Sequence, residues 1–209
     1  MKQKIPFLLA AGIASAATAA LGQDHPSGQY YVSGGMGAAF EQELRVRGAD
    51  LIDFHNGVRA DVAVGYQACS YFAAELATGV IWNSADKIGG VSVTSFGNSL
   101  DLYQVPVLAN VIFTTPAWRG IRAYLGGGVG GDVATIDFER PLGSIHDTDL
   151  TFGYQGFAGV NCQMSKRLEL GVGYKFLRSE SHNWIENDVT LKTAGTGVHS
   201  VTASLTWKF

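Results

Sequence analysis

From residue 29 onward, apolar and polar side chains alternate with a period of two in eight segments, about 29–40, 57–67, 71–82, 102–113, 121–136, 150–163, 167–177 and 198–209. A period of two belongs to the β-strand, whose successive side chains point to opposite faces. Most of the segments are 11 or 12 residues long. That exceeds the five or six usual in soluble sheets and matches the ~9–11 that cross a bilayer at a tilt. The connections alternate as well: 41–56, 83–101, 137–149 and 178–197 are long and polar, whereas 68–70, 114–120 and 164–166 are short. This arrangement predicts an all-β fold, an eight-stranded antiparallel up-and-down transmembrane β-barrel with long connections at one end only.

The two faces of each strand sharpen that expectation. The second strand sets Val58, Ala60, Val62, Val64 and Tyr66 against Arg59, Asp61, Ala63, Gly65 and Gln67. The seventh sets Leu168, Leu170, Val172, Tyr174 and Phe176 against Glu169, Gly171, Gly173 and Lys175. The charges inside strands share one face, which carries four acids (Asp61, Glu75, Asp132, Glu169) and four bases (Arg59, Arg122, Lys175, Lys208). A soluble barrel or sandwich encloses its apolar face; an enclosed polar face needs partners or water. With both termini at the periplasmic end, Tyr30, Tyr66, Phe72, Phe113, Trp207 and Phe209 fall at one edge of the apolar band. Phe40, Trp82, Tyr103, Phe152 and Phe176 fall at the other. Two aromatic girdles are what two membrane–water interfaces select.

The start of the chain, "MKQKIPFLLAAGIASAATAALGQDHP", sets the compartment. Lys2 and Lys4 precede an uncharged apolar run, and Ala20-Leu21-Gly22 supplies small residues for cleavage, so residues 1–22 read as a secretory signal peptide and 23–209 as one barrel domain. The run is too diluted by Ser15, Thr18 and alanines for a membrane-spanning anchor. Composition adds less. With 27 glycines and 16% charged residues, a secreted sandwich and a membrane barrel look alike.

Charge outside the strands is divided. The long connections are acidic in sum, while the short turns are basic through Arg119, Lys166 and Arg167. Acidic connections disfavour nucleic acid and direct adhesion to anionic lipopolysaccharide. The connections remain the expected docking surface for any extracellular ligand.

The segments "VPVLANVIF", "RAYLGGGVGG", "LELGVGYKF" and the terminal "LTWKF" resemble the small outer-membrane β-barrel superfamily of the opacity-protein, OmpX and OmpA membrane-domain type. The resemblance covers essentially the whole mature chain and rests on patterned strands. It implies a bacterial outer-membrane location after Sec export, surroundings of outer-membrane lipid and lipopolysaccharide, and a terminal strand read by the barrel-insertion machinery through Leu205, Trp207 and Phe209. Such a protein is expected to be no enzyme, to need no cofactor, and to serve an envelope-structural or surface-interaction role. The alternatives are a narrow pore for small solutes and an outer-membrane lipid-modifying hydrolase.

Eight strands enclose only enough room for side chains. Arg59, Asp61, Glu75, Arg122, Glu169 and Lys175 are therefore expected to form a polar network that plugs the lumen, with Glu75, Arg122 and Glu169 as neighbours. The inward Gly126, Gly128 and Gly130 are expected to make room for long side chains such as Arg122 and Tyr124.

Other motifs carry less. Gly126-x-Gly128-x-x-Gly131 has dinucleotide-fingerprint spacing, but a strand continues where that motif requires a helix. In "LRSESHNW", Ser179, Glu180, Ser181 and His182 are the best hydrolase candidates, yet neighbours on a strand point to opposite faces. The histidines are scattered, and His146 with Asp147 and Asp149 falls short of a converging metal site. Cys69 and Cys162 sit on opposite walls, too far apart for a disulfide, and are expected to be free thiols. Residues 65–79 align with 159–173 at a constant offset; a duplicated hairpin and shared lumen constraints explain this equally.

Overall fold

The computed structural model describes residues 28–42, 44–45, 51–88, 91–92, 99–140, 143–180, 183–186, 189–192 and 195–209. The signal peptide expected over residues 1–22 lies outside the described residues. Eight long strands carry the fold: β1 (Gln29–Glu41), β2 (Gly57–Cys69), β3 (Phe72–Ile88), β4 (Ser99–Thr114), β5 (Ile121–Arg140), β6 (Gly143–Gln163), β7 (Leu168–Ser179) and β8 (Gly197–Lys208). Each pairs antiparallel with its sequence neighbour, and β8 returns to pair with β1, so the sheet closes on itself. The seam is joined at its base by the Phe209 N–H, which donates to the Tyr30 carbonyl at 3.0 Å.

The register fixes the shape. Passing from partner to partner, Tyr31 leads through Gly65, Glu75, Asn110, Gly128, Gln155, Leu177 and Val198 to Glu41, ten residues farther along β1. A closed sheet with such a stagger must tilt its strands, by ~35–45° for barrels of this kind. Tyr30 and Phe40 on β1, Phe72 and Trp82 on β3, and Phe113 and Tyr103 on β4 each stand ten residues apart. At ~3.3 Å per residue and this tilt, the two girdles are separated by ~25 Å along the axis, the height of a membrane barrel's apolar band. The rings also pair laterally: Tyr30 with Tyr66 at 4.9 Å, Phe72 with Phe113 at 5.5 Å, and Trp82 stacked on Tyr103 at 6.3 Å. Between the girdles the outer wall is apolar and uncovered; Val62, Leu170 and Leu205 are 57%, 45% and 48% exposed.

Strand lengths differ from the sequence expectation at the end with long connections. β3 runs to Ile88 and β4 starts at Ser99, while β5 and β6 continue as a hairpin to Arg140 and Gly143. Much of 83–101 and 137–149 is therefore ladder. Apolar alternation stops where both faces meet water, but backbone pairing does not depend on it. Short pairs, Leu44–Arg45 with Leu51–Phe54 and Asn183–Glu186 with Val189–Lys192, occupy the other two long connections. One ladder is interrupted within the wall. Pairing of β3 with β4 passes from Thr78↔Val107 to Ile81↔Gln104 beside Pro106, which has no N–H to donate.

Candidate functional site

The inward side chains are arranged in layers along the axis. At the mouth beside Tyr30 and Phe209, Lys208 Nζ donates to Glu169 Oε1 at 2.7 Å, and Arg122 Nη1 stands 4.0 Å from the same oxygen. Above them is a cavity of about 110 Å³, bounded by Tyr31, Glu75, Tyr124, Phe157, Asn161 and the hydroxyl-bearing face of β8. It shares Gln67, Arg122, Glu169 and Lys208 with the open mouth below.

The next layer is ionic. Arg59 Nε donates to Asp61 Oδ1 at 2.8 Å, and Lys175 Nζ donates to Asp61 Oδ2 at 2.8 Å from the opposite wall. Arg59 Nη2 reaches Gln155 Oε1 at 3.3 Å, Gln155 Nε2 donates to Asn110 Oδ1 at 2.8 Å, and Asn110 Nδ2 donates to Glu75 Oε1 at 2.9 Å. Tyr31 donates to the other Glu75 oxygen at 2.9 Å. One chain of hydrogen bonds thus crosses the bore. Arg59 is 2% exposed and Asp61 9%, so each charge depends on its partner, since an unpaired buried ion is severely destabilising.

Overlapping the outer edge of the ionic layer is an apolar disc of Ala39, Ile81, Leu108, Leu177 and Val198, each at most 1% exposed, with Ile81 directly opposite Arg59 and Leu177 opposite Gln155. It resembles a slice of soluble core inside a membrane barrel. An outer polar layer covers it: Asn83 Nδ2 donates to Glu41 at 2.9 Å, Gln104 Nε2 reaches Thr196 Oγ1 at 3.3 Å, and the Ser179 hydroxyl donates to Asp132.

The six expected lumen residues all point inward, but their pairing differs from the expected one. Lys208, not Arg122, is the nearer base to Glu169, and Glu75 is held by Tyr31 and Asn110. The reason is the stagger, which moves side chains several residues along the axis between one wall and the next. The space left by strand β5's glycines is also used differently. A Cβ at Gly126 would strike the Phe157 ring and one at Gly128 the Asn110 amide, so the room serves the paired neighbours rather than Arg122 and Tyr124. Tyr124 instead lies over Gly159, as Tyr31 lies over Gly65. These two glycines are equivalent in the aligned stretches 65–79 and 159–173, so a tyrosine seated on glycine is one constraint both hairpins share. The apolar disc was missed by sequence reasoning; its signal is the inward phase of β1, β3, β4, β7 and β8 turning apolar near one level.

The outer polar layer bears on the hydrolase candidates. Ser179 faces the lumen, is 1% exposed and is bonded to Asp132, whereas Glu180 next to it is exposed on the other side. Ser181 and His182 lie outside the described residues. Among the described residues no group of three or more metal-ligating side chains converges. Cys69 and Cys162 are free, exposed thiols.

An apolar belt ~25 Å tall, bounded by aromatic girdles and wrapped around a polar bore, is the inverse of a soluble fold. The sequence matches the model of the outer membrane protein β-barrel domain over residues 7–209. The chain belongs to that family. Its place is the bacterial outer membrane. No curated protein matches this outer-membrane barrel in sequence. In structure it is similar to Neisserial surface protein A at 13% identity, covering 86% of this chain and 97% of that one with a TM-score of 0.59. It is similar to OprG from Pseudomonas aeruginosa at 14% identity, with 88% and 97% covered and a TM-score of 0.60. The outer membrane protease OmpT from Escherichia coli shares the fold more loosely, at 8% identity, 90% and 99% covered, and a TM-score of 0.51. At these identities the likeness is one of fold.

Proposed function

We propose that this outer-membrane barrel is a closed envelope element that acts outside its bore, through the strand ends and connections that project from the cell. The observation that carries this reading is the sequence of ionic layer, apolar disc and outer polar layer across the lumen. An ion entering from the periplasm meets Asp61 already neutralised by Arg59 and Lys175, then a dry disc in which a charge has no partner. Projecting hairpins such as β5–β6 offer paired backbone and polar side chains to an extracellular ligand. The acidic sum of the connections favours a basic or neutral ligand over a polyanion.

The same reading makes the chain no enzyme. The buried, lumen-facing Ser179 is turned away from lipid, which speaks against the hydrolase. A narrow pore is the second reading, favoured by the cavity in the periplasmic half. Planar-bilayer recording from purified protein separates the two: the closed barrel gives no steady unitary conductance, and large, sustained currents would overturn it. Assembly rests on the terminal strand. Leu205, Trp207 and Phe209 form its lipid-facing row, and in this proposal they also address the barrel-insertion machinery. A Phe209→Ser variant should insert more slowly; wild-type efficiency would remove the targeting role.

A further inference from the structure

The cavity of about 110 Å³ is lined by groups of distinct chemistry at its wall and at its mouth. No side chain of the apolar disc lines it, so a molecule held there stays on one side of that disc. Three aromatic rings, Tyr31, Tyr124 and Phe157, form part of the wall. Each lies over glycine. Tyr31 covers Gly65, Phe157 covers Gly126, and the Tyr124 hydroxyl sits above Gly159 and Gly173, where a Cβ would strike it. These glycines let the rings lie back against the strands, and the space in front of them stays open instead of being packed as the disc is.

The charged groups around the cavity differ in how far they are satisfied. Asp61 is taken up by Arg59 and Lys175, and Glu169 by Lys208. Glu75 is held by neutral groups, the Tyr31 hydroxyl at one oxygen and the Asn110 amide at the other, both at 2.9 Å. An ionised carboxylate has about four acceptor sites, so each oxygen keeps room for a further donor. Arg122 approaches Glu169 only to 4.0 Å, and its Nε is buried without a hydrogen-bond partner among the described residues. Arg122 is shared with the open mouth and Glu75 is not. The cavity therefore presents a carboxylate with spare acceptors at its inner end and a guanidinium with a spare donor at its outer end.

A simple cation would leave the guanidinium unmatched, and a simple anion would leave Glu75 unmatched. A molecule with both charges matches both and adds no net charge to a confined space, where net charge is costly. Aromatic faces beside Glu75 favour an ammonium further. Size limits the remainder: a cavity of about 150 Å³ accepts benzene, so one of about 110 Å³ takes a solute of about five or six heavy atoms. We propose that the cavity binds a small zwitterion, an amino acid with at most a methyl side chain, its ammonium on Glu75 among Tyr31, Tyr124 and Phe157 and its carboxylate on Arg122. Binding needs the open mouth but no passage through the disc, so it is independent of whether the bore conducts.

NMR titration of the purified, isotope-labelled barrel in detergent micelles tests this with alanine, alaninamide, propionate and phenylalanine, read at the backbone amides of Ser204 and Thr206 on the β8 wall of the cavity. Alanine should shift both saturably. Alaninamide, which lacks the carboxylate, and propionate, which lacks the ammonium, should each bind about tenfold more weakly, the effect of losing one charge-assisted contact. Phenylalanine should not enter. Glu75→Gln and Arg122→Met should each weaken alanine by about the same factor, and Ser33→Phe, which fills the cavity from β1 and removes neither charge, should abolish its effect. Heat-modifiable gel migration establishes that each variant is a folded barrel, and the solutes compared on the wild type decide even where a variant does not fold. Absence of a saturable shift with alanine, or its survival in a folded Ser33→Phe barrel, would overturn the site. Alaninamide or propionate binding as tightly as alanine would overturn the zwitterion, and equal binding of phenylalanine would overturn the size limit. Undiminished binding by folded Glu75→Gln or Arg122→Met would overturn the assigned ends.

Discussion

The two halves of the lumen are built from the same strands but by different rules. Toward the cell exterior, Ile81, Leu108, Leu177 and Val198 interlock as they would in a soluble core. Toward the periplasm, tyrosines, hydroxyls and ion pairs surround a cavity of about 110 Å³. Arg59, Asp61 and Lys175 are paired at the boundary between them. A narrow barrel therefore does not need to be filled evenly. An apolar cluster packs one part of the lumen while a polar cavity occupies the other.

Substitutions should separate these regions by size of effect. The largest is expected at the boundary: Asp61→Ala leaves two buried or half-buried cations facing each other and should lower stability by about 3–5 kcal/mol. Urea unfolding in lipid vesicles reads this as a shift in midpoint, and a Lys175→Met second substitution should recover part of the loss. Next is the disc. Leu177→Ala removes volume from a packed site and should cost about 2–4 kcal/mol in the same assay; a loss below 1 kcal/mol would mean that the layer is loosely packed. The smallest belongs to the hollow half. Thr206 lines the cavity, and Thr206→Ala should stay within about 0.5 kcal/mol of wild type. A cost there comparable to that of Leu177→Ala would erase the distinction between the halves.

How much of this was legible in the sequence depends on what imposes each feature. Strand number, facing and girdles were legible because a bilayer imposes a period of two on every segment that crosses it, as in β2 and β7. Strand ends beyond the membrane were not, because residues such as Thr148 and Asp149 meet water on either face and lose the pattern while the ladder continues. Inward direction was legible for Glu75 and Glu169, but their partners were not. A stagger of ten residues places Lys175 against Asp61, 114 positions earlier in the chain, and no local spacing encodes that. The apolar disc is intermediate: each member is visible as an exception to polar-inward alternation, and only the register shows that the exceptions lie together.

The closing pair of strands also limits when folding can occur. Tyr31 sits opposite Lys208, so the first strand waits for the last before its hydrogen bonds are complete, and contacts of that separation form slowly. No subset of strands ends without a bare edge, and a bare edge invites pairing with other chains. Any incomplete set of strands therefore keeps two bare edges, and only the pairing of β1 with β8 removes both at once.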